Sequence, residues 1–264
     1  ELAELMVGRM VAQPIGAAQL PGAAMLDLDR IAARRGNAAL RDVSLRVRSG
    51  EIVGIAGVSG NGQSLLADVV SGVLVPDEGA ISVNGAAVSG ISPRAMVDRG
   101  VARIPEDRHA QGLIGDMSVA ENVVAEAYLG QFSSRGFVNW PAATRFAEQI
   151  IRDYDVKCPG PQARVRLLSG GNMQKLILGR VMNAKPCVVL ANQPTRGLDV
   201  GAVAYVHEQL LKARAQGAGL LLISEDLDEL LALSDQVAVI YQGQVSPLMA
   251  RGDVDIRTLG LMMA

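Results

Sequence analysis

Apolar and polar residues alternate along two stretches near the start of the chain, residues 25–31 and 40–47, and this alternation predicts half-buried antiparallel strands. A short apolar run at 51–56 predicts a buried strand that ends in glycine. Further buried strands are predicted at residues 187–190, 220–223 and 237–240, each separated from the next by helical periodicity. Apolar strands that alternate with helices are typical of a parallel sheet covered on both faces. We therefore expect an α/β fold with a mostly parallel sheet and a small antiparallel β subdomain.

The pattern changes between residues 115 and 165, which are predicted to be mainly helical and which hold the only tryptophan, Trp140. We expect one domain over residues 25–250, with an inserted α-helical subdomain at about 115–180. Ser118 is a predicted N-cap within it. Residues 1–24 are interpreted as the tail of a preceding domain followed by a linker, and residues 251–264 as a similar C-terminal tail.

The composition narrows the possible partners. The 264 residues are 49% hydrophobic, which is enough apolar material for one large domain. The net charge of −2 gives no strong field that would attract nucleic acid, so no nucleic-acid partner is expected. No apolar run approaches the roughly 20 residues needed to cross a bilayer. The first residues lack the charge asymmetry of a secretory leader, and the two cysteines are not spaced as a metal or redox pair.

A glycine-rich segment at residues 57–64, GVSGNGQS, lies where the strand at 51–56 gives way to a helix. It fits the phosphate-loop pattern G-x-x-x-x-G-K-[ST] at every position except the lysine, which is Gln63. Glycines let successive N–H groups face one anion, and the hydroxyl of Ser64 suits Mg²⁺. A ligand-free turn explains this segment alone equally well. The candidate nucleotide-binding residues are Gly57, Ser59, Gly60, Asn61, Gly62, Gln63, Ser64 and Leu65.

Two further motifs follow in order: LSGGNMQK at residues 168–175, which opens an amphipathic helix, and QPTRGLD at 193–199, after a buried strand. Phosphate loop, LSGG helix, strand and PTRGLD together resemble the ATPase domains of ABC transporters, which are P-loop NTPases, over residues 25–245. The IPEDR segment at 104–108 is similar to the sugar-importer group, in which two ATPase domains are fused. ANQPTRGLD with SEDLDE is most similar to the second domain of purine nucleoside importers.

The resemblance implies that this half is degenerate. Asn192 stands where the family has the aspartate that orients Mg²⁺, Gln193 where it has the glutamate that polarises water, and Glu225 where it has the switch histidine. Glu106 occupies the Q-loop position, so Ser64, Glu106 and Asn192 form a weakened Mg²⁺ site. No aromatic residue occupies the predicted loop at 32–36 to stack on adenine. Since a positioned general base alone contributes roughly 10²–10⁴-fold, this half should hydrolyse little ATP.

The groups that the family uses in trans are intact: Ser169, Gly170, Gly171 and Asp199. The resemblance implies that they complete the ATP site of an N-terminal ABC domain in the same polypeptide. The implied cofactors are ATP or ADP with Mg²⁺, weakly held or absent here. The implied partners are transmembrane permease subunits, met by the segment at 115–122, and indirectly a substrate-binding protein. This chain would lie at the cytoplasmic face of the inner or plasma membrane as a peripheral protein, and the whole transporter would hydrolyse ATP to import a nucleoside or simple sugar.

Two alternatives remain open. A regulatory ABC domain that binds no nucleotide differs only at the degenerate site. A soluble ABC ATPase acting on ribosomes or DNA fits less well, because the chain has no basic tract and only about a hundred ordinary residues between its motifs, too few for a long coiled coil.

Overall fold

The computed structural model describes residues 20–128, 130–134 and 136–263, so the predicted tail at residues 1–24 lies outside the described residues up to residue 19. The strands are β1 (Ala24–Arg35), β2 (Ala38–Arg48), β3 (Ile52–Ala56), β4 (Glu78–Val83), β5 (Ala86–Ala87), β6 (Val101–Ile104), β7 (Ser133–Ser134), β8 (Phe137–Val138), β9 (Val188–Asn192), β10 (Gly219–Ser224), β11 (Gln236–Tyr241), β12 (Gln244–Val245) and β13 (Met249–Ala250). The α-helices are α1 (Gln63–Val70), α2 (Pro93–Asp98), α3 (Val119–Val124), α4 (Trp140–Asp153), α5 (Gly170–Asn183), α6 (Val200–Ala215), α7 (Leu227–Leu233) and α8 (Ile256–Met262).

A mostly parallel sheet forms the centre of the molecule, with the strand order β12-β11-β3-β10-β9-β6 and with β13 paired to β11. Strands β11, β3, β10, β9 and β6 run parallel. Every residue of β3, β9 and β10 is buried, as expected for strands covered on both faces. The predicted buried strands are therefore confirmed. Their carboxyl ends share one edge, where ligands bind in open α/β sheets.

A second, antiparallel sheet has the order β2-β1-β4-β5 and confirms the predicted antiparallel strands. The predicted loop at residues 32–36 is wrong, because β1 continues to Arg35 and the turn follows it. A register shift between Leu28 and Ile31, with Arg30 in the left-handed region at a φ of 51°, interrupts the alternation. Ile31 and Ala33 are nevertheless fully buried. Because the bulge interrupts the alternation of apolar and polar residues, the sequence pattern did not reveal the second half of the strand.

Two apolar clusters cover the faces of the parallel sheet. In β10, Leu220 and Leu222 belong to the cluster shared with α3 to α6, whereas Leu221 and Ile223 belong to the cluster shared with α1 and the antiparallel sheet. This division follows from the alternation of side chains along a strand. The chain thus has a core on each face of one sheet, which fits the predicted α/β class.

The inserted lobe is less helical than predicted. Ser118 caps α3 through a capping box with Glu121, as the sequence predicts. Between α3 and α4, however, the chain forms the short hairpin β7–β8. Across the ranges that the structure describes, no helix is both long and apolar enough to cross a bilayer.

Candidate functional site

The glycine-rich segment lies at the carboxyl edge of the sheet, between β3 and α1. Gly60 and Gly62 have φ angles of 93° and 116°, in the left-handed region that favours glycine. Asn61 ties the loop to the β11–β12 turn, because its side-chain oxygen accepts a hydrogen bond from the Gln242 N–H at 3.1 Å. Ser59, Gly60 and Ser64 are exposed, whereas Gly57, Gly62, Gln63 and Leu65 are buried. The loop therefore has the backbone form of an anion-binding turn.

The side chain of Gln63 fills the inside of this loop. Its Nε2 donates a hydrogen bond to the Val58 carbonyl at 2.7 Å. A Cβ atom at Gly57 would lie only 2.6 Å from that nitrogen, so the glycine makes room for the amide. Oε1 of Gln63 is buried without a hydrogen-bond partner among the described residues. The loop thus holds a neutral amide where its pattern calls for a cation.

Ser64, Glu106 and Asn192 line one small cavity of about 70 Å³ between α1 and the end of β6. Oδ1 of Asn192 is buried and has no hydrogen-bond partner in the described part of the chain. Glu106, the one carboxylate of the three, is ion-paired with Arg196 instead. Mg²⁺ prefers carboxylate ligands alongside the phosphates. The donor set fits Mg²⁺ poorly, since its only charged oxygen donor is already engaged.

Gln193 and Glu225 follow neighbouring strands and meet at the same edge. Gln193 has a φ of 49° and donates its backbone N–H to the Ile223 carbonyl at 2.8 Å. Its Oε1 lies 3.4 Å from the backbone nitrogen of Glu225, from which it accepts a hydrogen bond. This amide has no proton-accepting strength comparable to a carboxylate. The structure thus brings these two positions into contact, while the roles assigned to them remain a prediction.

The LSGG segment and Asp199 lie side by side on another surface. Ser169 caps α5, and its Oγ accepts hydrogen bonds from the Asn172 backbone N–H at 3.5 Å and side-chain Nδ2 at 2.9 Å. Asp199 caps α6 and accepts from the Ala202 N–H at 2.9 Å. A Cβ at Gly171 would meet only the Cβ of Ala202, at 3.6 Å. The start of α5 is therefore open on the side of Gly171, and a helix N-terminus is the kind of group that binds anions.

A buried network behind this surface was not predicted from the sequence. Thr195 Oγ1 donates to Glu229 Oε1 at 2.8 Å, and His207 Nε2 lies 2.9 Å from the same oxygen. Gln174 Nε2 donates to the Pro194 carbonyl at 2.8 Å. These contacts tie the PTRG segment to α5, α6 and α7. The sequence contains no local signal for them, because each joins residues that are at least 20 positions apart.

The fold and the site together define an ATP-binding cassette of the P-loop class. A family model described as ABC transporter matches residues 40–196, and the chain belongs to this family. A solved nucleotide-free ATP-binding cassette from an ABC transporter superposes with a TM-score of 0.75 at 23% identity, over 91% of this chain and 99% of that one. At that identity the likeness supports the fold.

Curated relatives cover the whole chain. It is 42% identical to the guanosine import ATP-binding protein NupO of Bacillus subtilis, over 100% of this chain and 52% of the relative. It is 41% identical to the glucose import ATP-binding protein TsgD13 of Haloferax volcanii, over 100% of this chain and 49% of the relative. The chain thus spans about half the length of these relatives.

Proposed function

We propose that this chain is one of two ATP-binding halves of an importer for a nucleoside or simple sugar, and that it is the half with the degenerate site. Relatives named for guanosine and glucose import, each about twice as long, support the two-half arrangement. One observation supports the proposal that this site is degenerate: the amide of Gln63 fills the phosphate loop where a lysine is expected. The two ATP-binding halves would lie at the cytoplasmic face of the membrane as peripheral proteins, bound to the permease.

Three losses would act together at this chain's own site. The loop has no cation for the phosphates, and Gln193 is no general base. Both carboxylates that line the cavity at Ser64 are engaged in ion pairs, Glu106 with Arg196 and Asp68 with Arg35. Phosphoryl transfer depends on positioned charge at each of these points. We therefore expect weak nucleotide binding here and no appreciable turnover. A regulatory domain with a permanently empty loop is the second candidate, and the engaged Gln63 side chain favours it.

The surface at Ser169, Gly170, Gly171 and Asp199 is the one this half would offer to the other. An open helix N-terminus places N–H donors and partial positive charge where the partner's γ-phosphate would lie. Because these residues are ordered by caps within this chain, the surface exists without a ligand. Catalysis would then take place on the partner's phosphate loop.

The segment at 115–122 remains the predicted permease contact, and we propose in addition that the permease docks on a groove beside it that contains none of those residues. This cavity of about 460 Å³ lies between α2, β6 and the end of α3. Its rim carries the exposed apolar side chains of Val73, Val97 and Tyr128. Arg103 also lines it and makes no ion pair with any described residue. An apolar groove with an unpaired cation suits a short amphipathic helix that carries a carboxylate. The substrate-binding protein would act only through that permease.

Gly171→Asp in the assembled two-half transporter tests the proposal. The new side chain would have room, with Ala202 at an ordinary contact distance, and a carboxylate is tolerated at a helix N-terminus. Its charge would repel the γ-phosphate of the partner's ATP. We expect the fold to survive and ATP hydrolysis to fall by two orders of magnitude or more, roughly the effect of losing a transition-state donor.

Gly260→Asp on α8 is the matched control, since nothing lies within 4 Å of a Cβ at Gly260. It should hydrolyse ATP as the unaltered transporter does. If Gly171→Asp retains full activity, or if the isolated chain turns over Mg·ATP briskly, the proposed function is wrong.

A further inference from the structure

Arg108 lies where three loops meet. Its Nη1 donates to the Arg196 carbonyl at 2.8 Å, and its Nη2 donates to the Gly197 carbonyl at 3.3 Å. A Cβ at Gly170, the first residue of α5, would lie 3.1 Å from Nη2 and 3.2 Å from Nε of the same guanidinium. One planar cation therefore fills the space between the PTRG backbone and the start of the LSGG helix.

The segment that carries Arg108 is itself held in place. Asp107 caps the π-type turn at Arg108–Gly112, because its Oδ1 accepts from the backbone N–H groups of His109 at 2.8 Å and Ala110 at 3.0 Å. Glu106 forms an ion pair with the side chain of Arg196, whose carbonyl Arg108 already holds. Two adjacent contacts thus join the PEDR segment to the PTRG segment. Arg108 donates to the Arg196 carbonyl, and the Arg196 side chain donates to Glu106.

None of these contacts involves the phosphate loop, and only Glu106 among these residues also lines the cavity at Ser64. Glu106 is the candidate Mg²⁺ ligand of the Q-loop, yet its charge is neutralised by Arg196 rather than directed at a metal. Gly197 has a φ of 66°, and a Cβ there would lie 3.4 Å from Nη2 of Arg108. Glycine at 170 and 197 leaves room for the guanidinium on both sides.

We propose that Arg108 is a positioning residue for the partner's ATP site: its guanidinium holds the Arg196–Gly197 backbone against the start of α5, whatever occupies this chain's own loop. The inference rests on the proposed function and adds to it the residue that holds the trans surface in place. Glu106 supports the same arrangement by holding the Arg196 side chain. The degenerate half would then offer a rigid surface in trans without needing nucleotide of its own.

The test uses the assembled two-half transporter with Arg108→Ala, Arg108→Lys and Glu106→Gln. The matched control is Arg257→Ala, an exposed arginine on α8. kcat and KM for ATP and the thermal midpoint are measured for each variant. We expect Arg108→Ala to lower kcat about tenfold, equivalent to one interaction lost in the transition state, with KM and the thermal midpoint little changed. Arg108→Lys should not restore kcat, because one ammonium cannot hold both carbonyls in the fixed geometry of a guanidinium.

Glu106→Gln should lower kcat in the same direction while leaving the Mg²⁺ dependence of hydrolysis unchanged. If Arg108→Ala does not fold, Glu106→Gln and Arg108→Lys still test the proposal. Unchanged kcat in Arg108→Ala, or full rescue by lysine, overturns the proposal, as does a shifted Mg²⁺ dependence in Glu106→Gln. If Gly171→Asp abolishes hydrolysis while the Arg108 variants do not, only this inference fails. If Gly171→Asp is also harmless, the proposed function fails with it.

Discussion

Gln63→Lys restores the charge that the phosphate loop lacks, and its effect on nucleotide binding follows from the geometry. The amide nitrogen of Gln63 lies inside the loop, 2.7 Å from the Val58 carbonyl. A lysine ammonium reaches the same carbonyl, so the new side chain keeps a hydrogen-bond acceptor when no ligand is bound. The space beside Gly57 already holds the Gln63 amide, and the lysine side chain would take the place of that amide.

The expected gain in affinity comes from one charge–phosphate contact. Unit charges about 4 Å apart attract by roughly 4 kcal/mol at an effective dielectric constant of about 20. Desolvation of the ammonium offsets part of this, and a hydrogen bond to a charged group contributes about 1.5–3 kcal/mol net. Gln63→Lys should therefore bind ATP roughly 10- to 150-fold more tightly than the unaltered chain. It should not restore turnover, because Gln193 still offers no general base.

Equilibrium binding of a fluorescent ATP analogue, with and without Mg²⁺, measures this change. Gln63→Met is the control, because it has a similar length without charge or donor. A thermal shift provides a second readout, since ligand at 100 times its dissociation constant stabilises a protein by about 2.7 kcal/mol. Equal affinities for the lysine and methionine variants would refute the argument that a missing cation weakens this site.

Three further predictions concern the groove, the lobe and the α3 cap. Arg103→Glu should weaken retention of this chain by its permease about tenfold, the loss of one charge pair worth roughly 1.4 kcal/mol, measured by co-purification across a salt series. Gly179→Ala should lower the free energy of unfolding by about 1–3 kcal/mol in urea, because its Cβ would lie 2.5 Å from Cγ2 of Ile150. Ser118 hydrogen bonds hold the pKa of Glu121 below its ordinary value of 4.5, so Glu121→Gln should flatten the loss of thermal stability in acid.

The sign of the last effect follows from linkage. A carboxyl group whose pKa is lowered on folding stabilises the protein fully above its unfolded pKa and loses that contribution as the pH falls through the folded pKa. The difference between Glu121→Gln and the unaltered chain should thus shrink below about pH 4, and a constant difference would contradict it. Gly260→Ala, with open space around it, is the control for Gly179→Ala. Arg103→Lys is the control for the groove and should retain the permease.

Much of the fold was predictable because it depends on local patterns. The alternation of β2 and the apolar runs of β3, β9, β10 and β11 each identified a strand. The pattern failed where local irregularity broke it: at the bulge near Arg30, which hid the end of β1, and in the inserted lobe, where a hairpin replaces predicted helix. At the bulge the irregularity lies in the pairing of β1 with β2 and β4, whereas the hairpin in the lobe is a local pairing, of Ser133 with Val138 and of Ser134 with Phe137.

The candidate site divides in the same way. The absence of lysine at position 63, of carboxylates at 192 and 193 and of imidazole at 225 is a property of residue identity, so the sequence alone determined which chemistry is missing. The hydrogen bonds and ion pairs around the candidate site, by contrast, join residues that are distant in the chain. Glu106 meets Arg196 across 90 residues, and Thr195 meets Glu229 across 34. Only packing brings such pairs within hydrogen-bonding distance, so the tertiary structure alone decided that the Q-loop carboxylate is neutralised and that Arg108 stands between the two glycines.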